Sequence, residues 1–151
     1  MLSLAFLIVL LSASFAKDIS SSSSTELSTD YILRPSINEF YDLLEKNRTE
    51  IIFTRFYLPS CPACIAFESG WNKVAKALQG VCKVVDYNCR KDPNTCWYVG
   101  IEYFPEFVVF INNRVYAIFD DDYGVRRLID FIKDKEYEEE EYRRKAKRKW
   151  Q

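Results

Sequence analysis

The sequence predicts an α/β domain in which a central mixed sheet is flanked by helices. Apolar, β-rich runs alternate with helical patterns over most of the chain, which is typical of parallel crossover units. Near the end, two further apolar runs are joined by Asn112 and Asn113, a pair typical of the tight turn of an antiparallel hairpin. A chain of 151 residues supports one such domain with appendages.

The predicted elements follow the order β-α-β-α-β-α-β-β-α and lie, in chain order, at residues 31–33, 36–46, 50–58, 61–79, 81–87, from 92, 107–111, 114–119 and from 124. The first is a short edge strand. Ser36 and Glu39 have the spacing of a capping box, which predicts the start of the first helix. The uninterrupted apolar run of the second strand indicates burial on both faces. Phe67 and Trp71 recur at core spacing in the second helix, and Gly80 is typical of its end.

The second half of the chain has equally clear start and turn signals. Asp92 and Pro93 put a proline at the first position of the short helix, where its missing N–H is harmless. The asparagine pair then joins the two hairpin strands. The last helix begins at Gly124 and carries apolar side chains on one face. We expect the folded domain to cover residues 31–133.

The two ends of the chain have the composition of appendages. Residues 1–16 begin with an apolar run and end in small residues, which predicts a secretory signal peptide; an uncleaved membrane anchor is the alternative. Residues 17–30 are polar and serine-rich, as in a flexible linker. In the tail, residues 134–151, acidic side chains precede basic ones at i, i+4 spacing. This favours a solvated continuation of the last helix, and the alternative is a basic patch for an acidic partner or membrane headgroups.

Composition and the signal peptide together narrow the function. A secretory signal implies an oxidising compartment, and five cysteines leave at least one that is free, intermolecular or part of a working thiol pair. Histidine is absent, which excludes histidine-based catalysis and most zinc chemistry. The formal net charge of −1 argues against nucleic-acid binding. The signal peptide predicts the endoplasmic reticulum lumen or secretion, and without a recognisable retention tetrapeptide the sequence does not choose between them. We expect no membrane association, because the apolar run is short for a membrane span and no second run follows.

The most informative motif is Cys61-Pro62-Ala63-Cys64, directly after the second strand. If Cys61 begins a helix, unpaired N–H groups and the helix dipole favour its thiolate and make it the nucleophile. Cys64, one turn further on, would then resolve a mixed disulfide. The alternatives are a static disulfide, half of a zinc site, and coincidence. Zinc needs two more ligands, and the spacing of the only candidates forms no second knuckle: Cys82, Cys89 and Cys96.

Residues 56–64, with the sequence Phe-Tyr-Leu-Pro-Ser-Cys-Pro-Ala-Cys, resemble the active-site segment of the thioredoxin superfamily, and of protein disulfide isomerase domains in particular. The resemblance extends over about residues 31–133. It implies a thioredoxin-like fold and thiol–disulfide exchange that needs no organic cofactor and no metal. It also implies client proteins that contain thiols or disulfides, with glutathione or another oxidoreductase as the redox partner.

The resemblance implies roles for further residues. Pro105 matches a proline that is cis in the family and faces the redox pair, and Phe104 would offer its backbone to an extended substrate. Cys89 and Cys96 match a cysteine pair that bridges a strand end to the short helix, which implies a structural disulfide. Cys82 is then left over, as a buried small hydrophobe or an intermolecular thiol.

Several positions depart from the family pattern. Arg55 replaces a buried acid that takes the proton of the resolving thiol; it could stabilise a Cys64 thiolate, and so tune the pair, or extend to solvent. Ser60 replaces the usual tryptophan, and Glu106 replaces the threonine after the cis-proline. The sequence therefore predicts a secretory-pathway thiol–disulfide oxidoreductase. The alternative is a redox-inert chaperone or adaptor that uses a thioredoxin fold to bind client proteins.

Overall fold

The computed structural model describes residues 31–149, so the predicted signal peptide and linker lie outside the described residues. In chain order the elements are β1 (Ile32–Leu33), α1 (Ile37–Lys46), β2 (Ile52–Tyr57), α2 (Pro62–Ala66), α3 (Glu68–Ala77), β3 (Lys83–Asn88), α4 (Pro93–Val99), β4 (Glu106–Ile111), β5 (Arg114–Ile118) and α5 (Val125–Lys149). The capping box predicted at Ser36 and Glu39 is present, and Asp92 caps α4 by accepting the N–H of Thr95. Every predicted element is therefore present. Most of the bounds lie within two residues of the prediction, and one predicted helix is divided in two.

Within residues 31–149, the strands form one sheet in the order β1-β3-β2-β4-β5. β1 and β2 both run parallel to β3, whereas β4 runs antiparallel to β2 and to β5. This confirms the predicted mixed sheet and the edge position of the first strand. β2 lies at the centre and residues 52–56 are buried, as the apolar run predicts.

Two apolar cores lie on opposite faces of the sheet, because successive strand residues point to opposite sides. α3 and α5 cover the first face, where Trp71 and Leu128 pack with Phe53 of β2. α1 covers the second face with Phe40, which packs against Phe56. Burial of each large apolar side chain contributes about 1.5–3 kcal/mol, so these cores hold the helices firmly on the sheet.

The predicted continuous helix from Cys61 to about Gln79 is wrong, because the structure divides it into α2 and α3. Phe67 lies between them with φ −90° and ψ 0°. Its ring contacts those of Phe107 and Tyr123, with centroid distances of 6.0 and 5.0 Å. The local turn brings this ring onto the sheet. The helical spacing of apolar residues continues across the turn, so the sequence pattern does not reveal it.

The third strand begins two residues later than predicted. Val81 and Cys82 both donate their N–H groups to the carbonyl of Leu78, at 3.0 and 3.3 Å, so they belong to the turn after α3. Gly80 has a φ of 80° within that turn, which a residue without a Cβ adopts readily. The backbone therefore remains in the turn up to Cys82, and β3 begins at Lys83.

The hairpin and the last helix agree with the sequence. Asn112 and Asn113 have φ values of 54° and 58°, the left-handed values that a two-residue type I′ turn requires. α5 extends to Lys149, which confirms that the charged tail continues the last helix. None of the helices in the described part of the chain is long and apolar enough to cross a membrane.

Candidate active site

The cysteine motif lies where β2 ends and α2 begins. The carboxyl ends of the parallel strands β1, β2 and β3 meet at this edge of the sheet, where open α/β sheets commonly bind ligands. Cys61 caps α2 and Pro62 takes the first helical position. Cys61 is partly exposed, whereas Cys64 is only 2% exposed. Cys61 can therefore react with a partner protein, whereas Cys64 is shielded from it.

Hydrogen bonds favour the thiolate form of Cys61. The N–H of Cys64 donates to the Cys61 Sγ at 3.4 Å, satisfying part of a thiolate's need for donors. Burial raises the pKa of Cys61, but hydrogen bonds from Cys64 and from the Ala63 N–H outweigh it and bring the pKa below its ordinary value. Burial, together with the bond to Cys61, raises the pKa of Cys64 to about 11. The pair therefore has one activated thiol and one that stays protonated at neutral pH.

The loop before β4 faces this pair. The peptide bond between Phe104 and Pro105 is cis, which confirms the expectation from the resemblance. In the protonated state the Cys61 thiol donates to the carbonyl oxygen of Phe104 at 3.4 Å. Glu106 accepts the N–H of Glu102 at 3.1 Å and so closes the loop on itself. The structure thus brings the two cysteines and the predicted substrate-binding residues together.

Arg55, in the middle of β2, lies inside the protein and is only 1% exposed. Its Nε and Nη2 donate to the two carboxylate oxygens of Asp86 at 2.7 and 3.0 Å, and Nη2 also donates to Glu68 at 2.8 Å. The alternative in which Arg55 extends to solvent is therefore wrong, because two carboxylates hold the guanidinium inside. Its charge lowers the pKa of Cys64, although burial of that thiol has the larger effect.

Sequence reasoning missed two residues of the site. Asp86 lies opposite Arg55 in the β2–β3 ladder and is buried. The sequence did contain a signal for this pair: β2 and β3 each carry one charged residue among apolar ones near their middle. A buried charge without a partner is very unfavourable, so the two charges could have been expected to pair. Tyr123 was also missed: its ring packs against those of Phe67 and Phe107, and burial, with the charges of Cys64 and Cys61, raises its pKa. No periodicity or spacing in the sequence could have placed Tyr123 there.

The other cysteines do not join the pair. Cys89 and Cys96 form a disulfide that links the end of β3 to α4, with an S–S distance of 2.02 Å. Cys82 lies before β3, and burial raises its pKa to about 12. Across residues 31–149, no group of three or more cysteine, aspartate or glutamate side chains is arranged to hold a metal ion.

Comparisons with known proteins agree with this arrangement. The family model described as Thioredoxin matches residues 33–134. DnaJ homolog subfamily C member 10 from Rattus norvegicus is 26% identical over 85 residues, which are 56% of this chain and 11% of that protein. The chain thus spans about a tenth of the length of such curated relatives.

Solved structures resemble this one over about the same part of the chain. The J-Trx1 fragment of ERdj5 superposes with a TM-score of 0.66 at 22% identity, covering 71% of this chain and 52% of that one. The first thioredoxin domain of mouse Protein disulfide-isomerase A4 superposes with a TM-score of 0.63 at 12% identity, covering 70% of this chain and 76% of that one. At such identities the likeness concerns the fold, and it confirms the expected thioredoxin-like fold.

Proposed function

Since the chain belongs to the thioredoxin family, we propose that it is a thiol–disulfide oxidoreductase that exchanges disulfides with protein substrates through Cys61 and Cys64. The observation that carries this proposal is the difference between the two thiols. Cys61 is partly exposed with a lowered pKa, and Cys64 is buried with a raised pKa. A nucleophile must reach its substrate as a thiolate, whereas a resolving thiol must wait until a mixed disulfide has formed.

The reaction follows from this difference. The Cys61 thiolate attacks one sulfur of a client disulfide, forms a mixed disulfide and releases the other client sulfur as a thiolate. Cys64 then loses its proton to solvent and attacks the Cys61 sulfur, which releases the second client sulfur. The client gains two electrons and the pair becomes a disulfide. Glutathione or another oxidoreductase would reduce the pair again, and the reverse sequence would oxidise a client dithiol.

Phe104 and Pro105 are the residues we assign to substrate binding. The Phe104 carbonyl is within 3.4 Å of the reactive sulfur, so an extended client segment that pairs with this backbone would have its own sulfur close by. Two exposed apolar side chains adjoin the site in sequence: Tyr103, 73% exposed, and Ile65, 61% exposed. They offer apolar contacts to a client that is not fully folded.

Arg55 is the residue we assign to tuning. Its buried guanidinium favours the Cys64 thiolate, although a guanidinium cannot accept the proton that the thiol loses. Cys89 and Cys96 are assigned a structural disulfide, because they hold the end of β3 to α4. The composition of residues 1–16 supports action in the endoplasmic reticulum lumen or after secretion. The likeness to a domain of Protein disulfide-isomerase A4 supports protein disulfides as the substrate class.

Reduction of insulin by the full chain tests this proposal. We expect the wild type to accelerate insulin reduction by a dithiol and Cys61→Ser to abolish the acceleration, because a serine hydroxyl forms no disulfide. Cys82→Ser is the matched control, with the same substitution at a free thiol outside the pair. Equal acceleration by Cys61→Ser and wild type would overturn the proposal. A wild type that does not accelerate the reduction would also overturn it and would favour a redox-inert adaptor.

A further inference from the structure

Four charged side chains form an ion network that ends at Glu68, four positions after Cys64: Arg34, Asp86, Arg55 and Glu68. The Nε of Arg34 lies 3.5 Å from an oxygen of Asp86, which itself binds Arg55 through both oxygens. Arg55 in turn donates to Glu68 at 2.8 Å. The two inner members are buried, whereas the two outer members are about half exposed. Positive and negative charges thus alternate along one face of the sheet, from half-exposed Arg34 through the buried pair to half-exposed Glu68.

Asp86 determines where the Arg55 guanidinium lies. The two residues are opposite each other in the β2–β3 ladder, and the double hydrogen bond fixes the plane of the guanidinium as a single bond would not. The rings of Tyr57 and Trp71 lie 5.0 and 5.4 Å from its central carbon, and these cation–π contacts further limit its movement. Arg55 is therefore a fixed cation.

One donor of this fixed cation is unused. Nε and Nη2 donate to carboxylates, but Nη1 is buried without a hydrogen-bond partner among the described residues. Leaving a buried donor unsatisfied costs about 1–3 kcal/mol. A site that tolerates such a donor can compensate for it when an anion forms nearby, and the Cys64 thiolate is an anion that forms only during the reaction.

We propose that Asp86 is a positioning residue for the resolving step: it holds Arg55 beside Cys64 and offsets part of the positive charge that stabilises the Cys64 thiolate. This inference rests on the proposed function. Glu68, at the half-exposed end of the network, also offsets part of the Arg55 charge. The resolving step then proceeds at a rate set by the balance between one cation and two carboxylates.

The proposal predicts opposite effects from neutralising the two buried partners. Asp86→Asn keeps an oxygen that can accept from Arg55 but removes the offsetting charge, so the Cys64 thiolate becomes more stable. Arg55→Met removes the cation and leaves the carboxylate, so the thiolate becomes less stable. Lowering the pKa of Cys64 by one unit makes its thiolate fraction at neutral pH about ten times larger, but it also makes that thiolate less nucleophilic. The net change in the resolving rate is therefore about threefold for each pKa unit.

The test uses reduced full-length protein and Ellman's disulfide, which releases one coloured thiolate when Cys61 attacks it and a second when Cys64 resolves the mixed disulfide. We expect the second phase at pH 7 to be about threefold faster in Asp86→Asn and about threefold slower in Arg55→Met. The pH at which its rate levels off should fall in the first variant and rise in the second. A merely structural role would not move these two variants in opposite directions.

Glu68→Gln provides a variant that does not alter the buried part of the network. We expect it to accelerate the second phase, by less than Asp86→Asn does. Glu50→Gln is its matched control, since Glu50 has the same 49% side-chain exposure and also binds a cation at 2.8 Å, namely Lys83. A second phase that is unchanged in Glu68→Gln and in folded Asp86→Asn overturns this inference alone. A wild type without a second phase overturns the proposed function as well.

Discussion

The protonated Cys61 thiol donates a hydrogen bond to the backbone carbonyl of Phe104, with 3.4 Å between Sγ and oxygen. The two residues come from distant parts of the chain, the junction of β2 with α2 and the loop before β4. The contact places the reactive sulfur beside a stretch of backbone that a client segment can approach. When Cys61 ionises it loses this donor role, and the N–H of Cys64 remains to stabilise the thiolate.

The free thiols should react with iodoacetamide in a fixed order of pH. Cys61 has a pKa below the ordinary thiol value, so its alkylation rate should rise and level off at lower pH than that of a free cysteine. Cys64 and Cys82 have pKa values of about 11 and about 12, so neither should form appreciable thiolate at pH 7. Mass spectrometry of peptides from protein alkylated between pH 5 and pH 9 would identify each modified cysteine. Alkylation of Cys64 as fast as that of Cys61 would contradict the assigned roles.

Most of the fold was predictable from local patterns. Ser36 and Glu39 marked a helix start, and Asn112 with Asn113 marked a hairpin, because cap and turn chemistry depends on neighbouring residues alone. The division between α2 and α3 was not predictable. It depends on where the ring of Phe67 finds space against the sheet, which is a tertiary property.

The site was predictable only in part. Cys61, Cys64 and Pro105 were identified from spacing and resemblance, because they lie in short motifs. The partner of Arg55 was not identified, since the contact joins residues 31 positions apart through the β2–β3 register. A register between parallel strands is set by the packing of the whole sheet. Asp86 therefore became visible only in the structure.

Removing the Cys89–Cys96 disulfide should lower stability without affecting exchange. The two cysteines are separated by 7 positions, and a cross-link of that length stabilises a folded chain by about 2–3 kcal/mol in the loop-entropy description. We expect Cys89→Ala with Cys96→Ala to lose about that much free energy of unfolding in urea. Insulin reduction, measured well below the unfolding midpoint, should match that of the wild type. Loss of exchange by the folded variant would instead indicate a second active pair.

Gly70→Ala should destabilise the protein although alanine favours helices. A Cβ on Gly70 would lie 2.5 Å from the ring of Phe67, which is itself held against Phe107 and Tyr123. Crowding of this kind costs about 1–3 kcal/mol and exceeds the helix preference of alanine over glycine, about 1 kcal/mol. Urea unfolding would measure the loss. Gly124→Ala is the control, because nothing lies within 4 Å of its added Cβ, and an equal loss in both variants would contradict this explanation.

The central claim is that Cys61 and Cys64 form a reversible dithiol–disulfide couple. Its most direct test is equilibration of the full chain in glutathione buffers of graded potential, followed by acid quenching, alkylation and mass spectrometry of the peptide that carries both cysteines. We predict a single two-electron transition with a midpoint between about −120 and −270 mV, the range of known dithiol oxidoreductases. A pair that stays fully reduced, or fully oxidised, across the whole series would contradict the account.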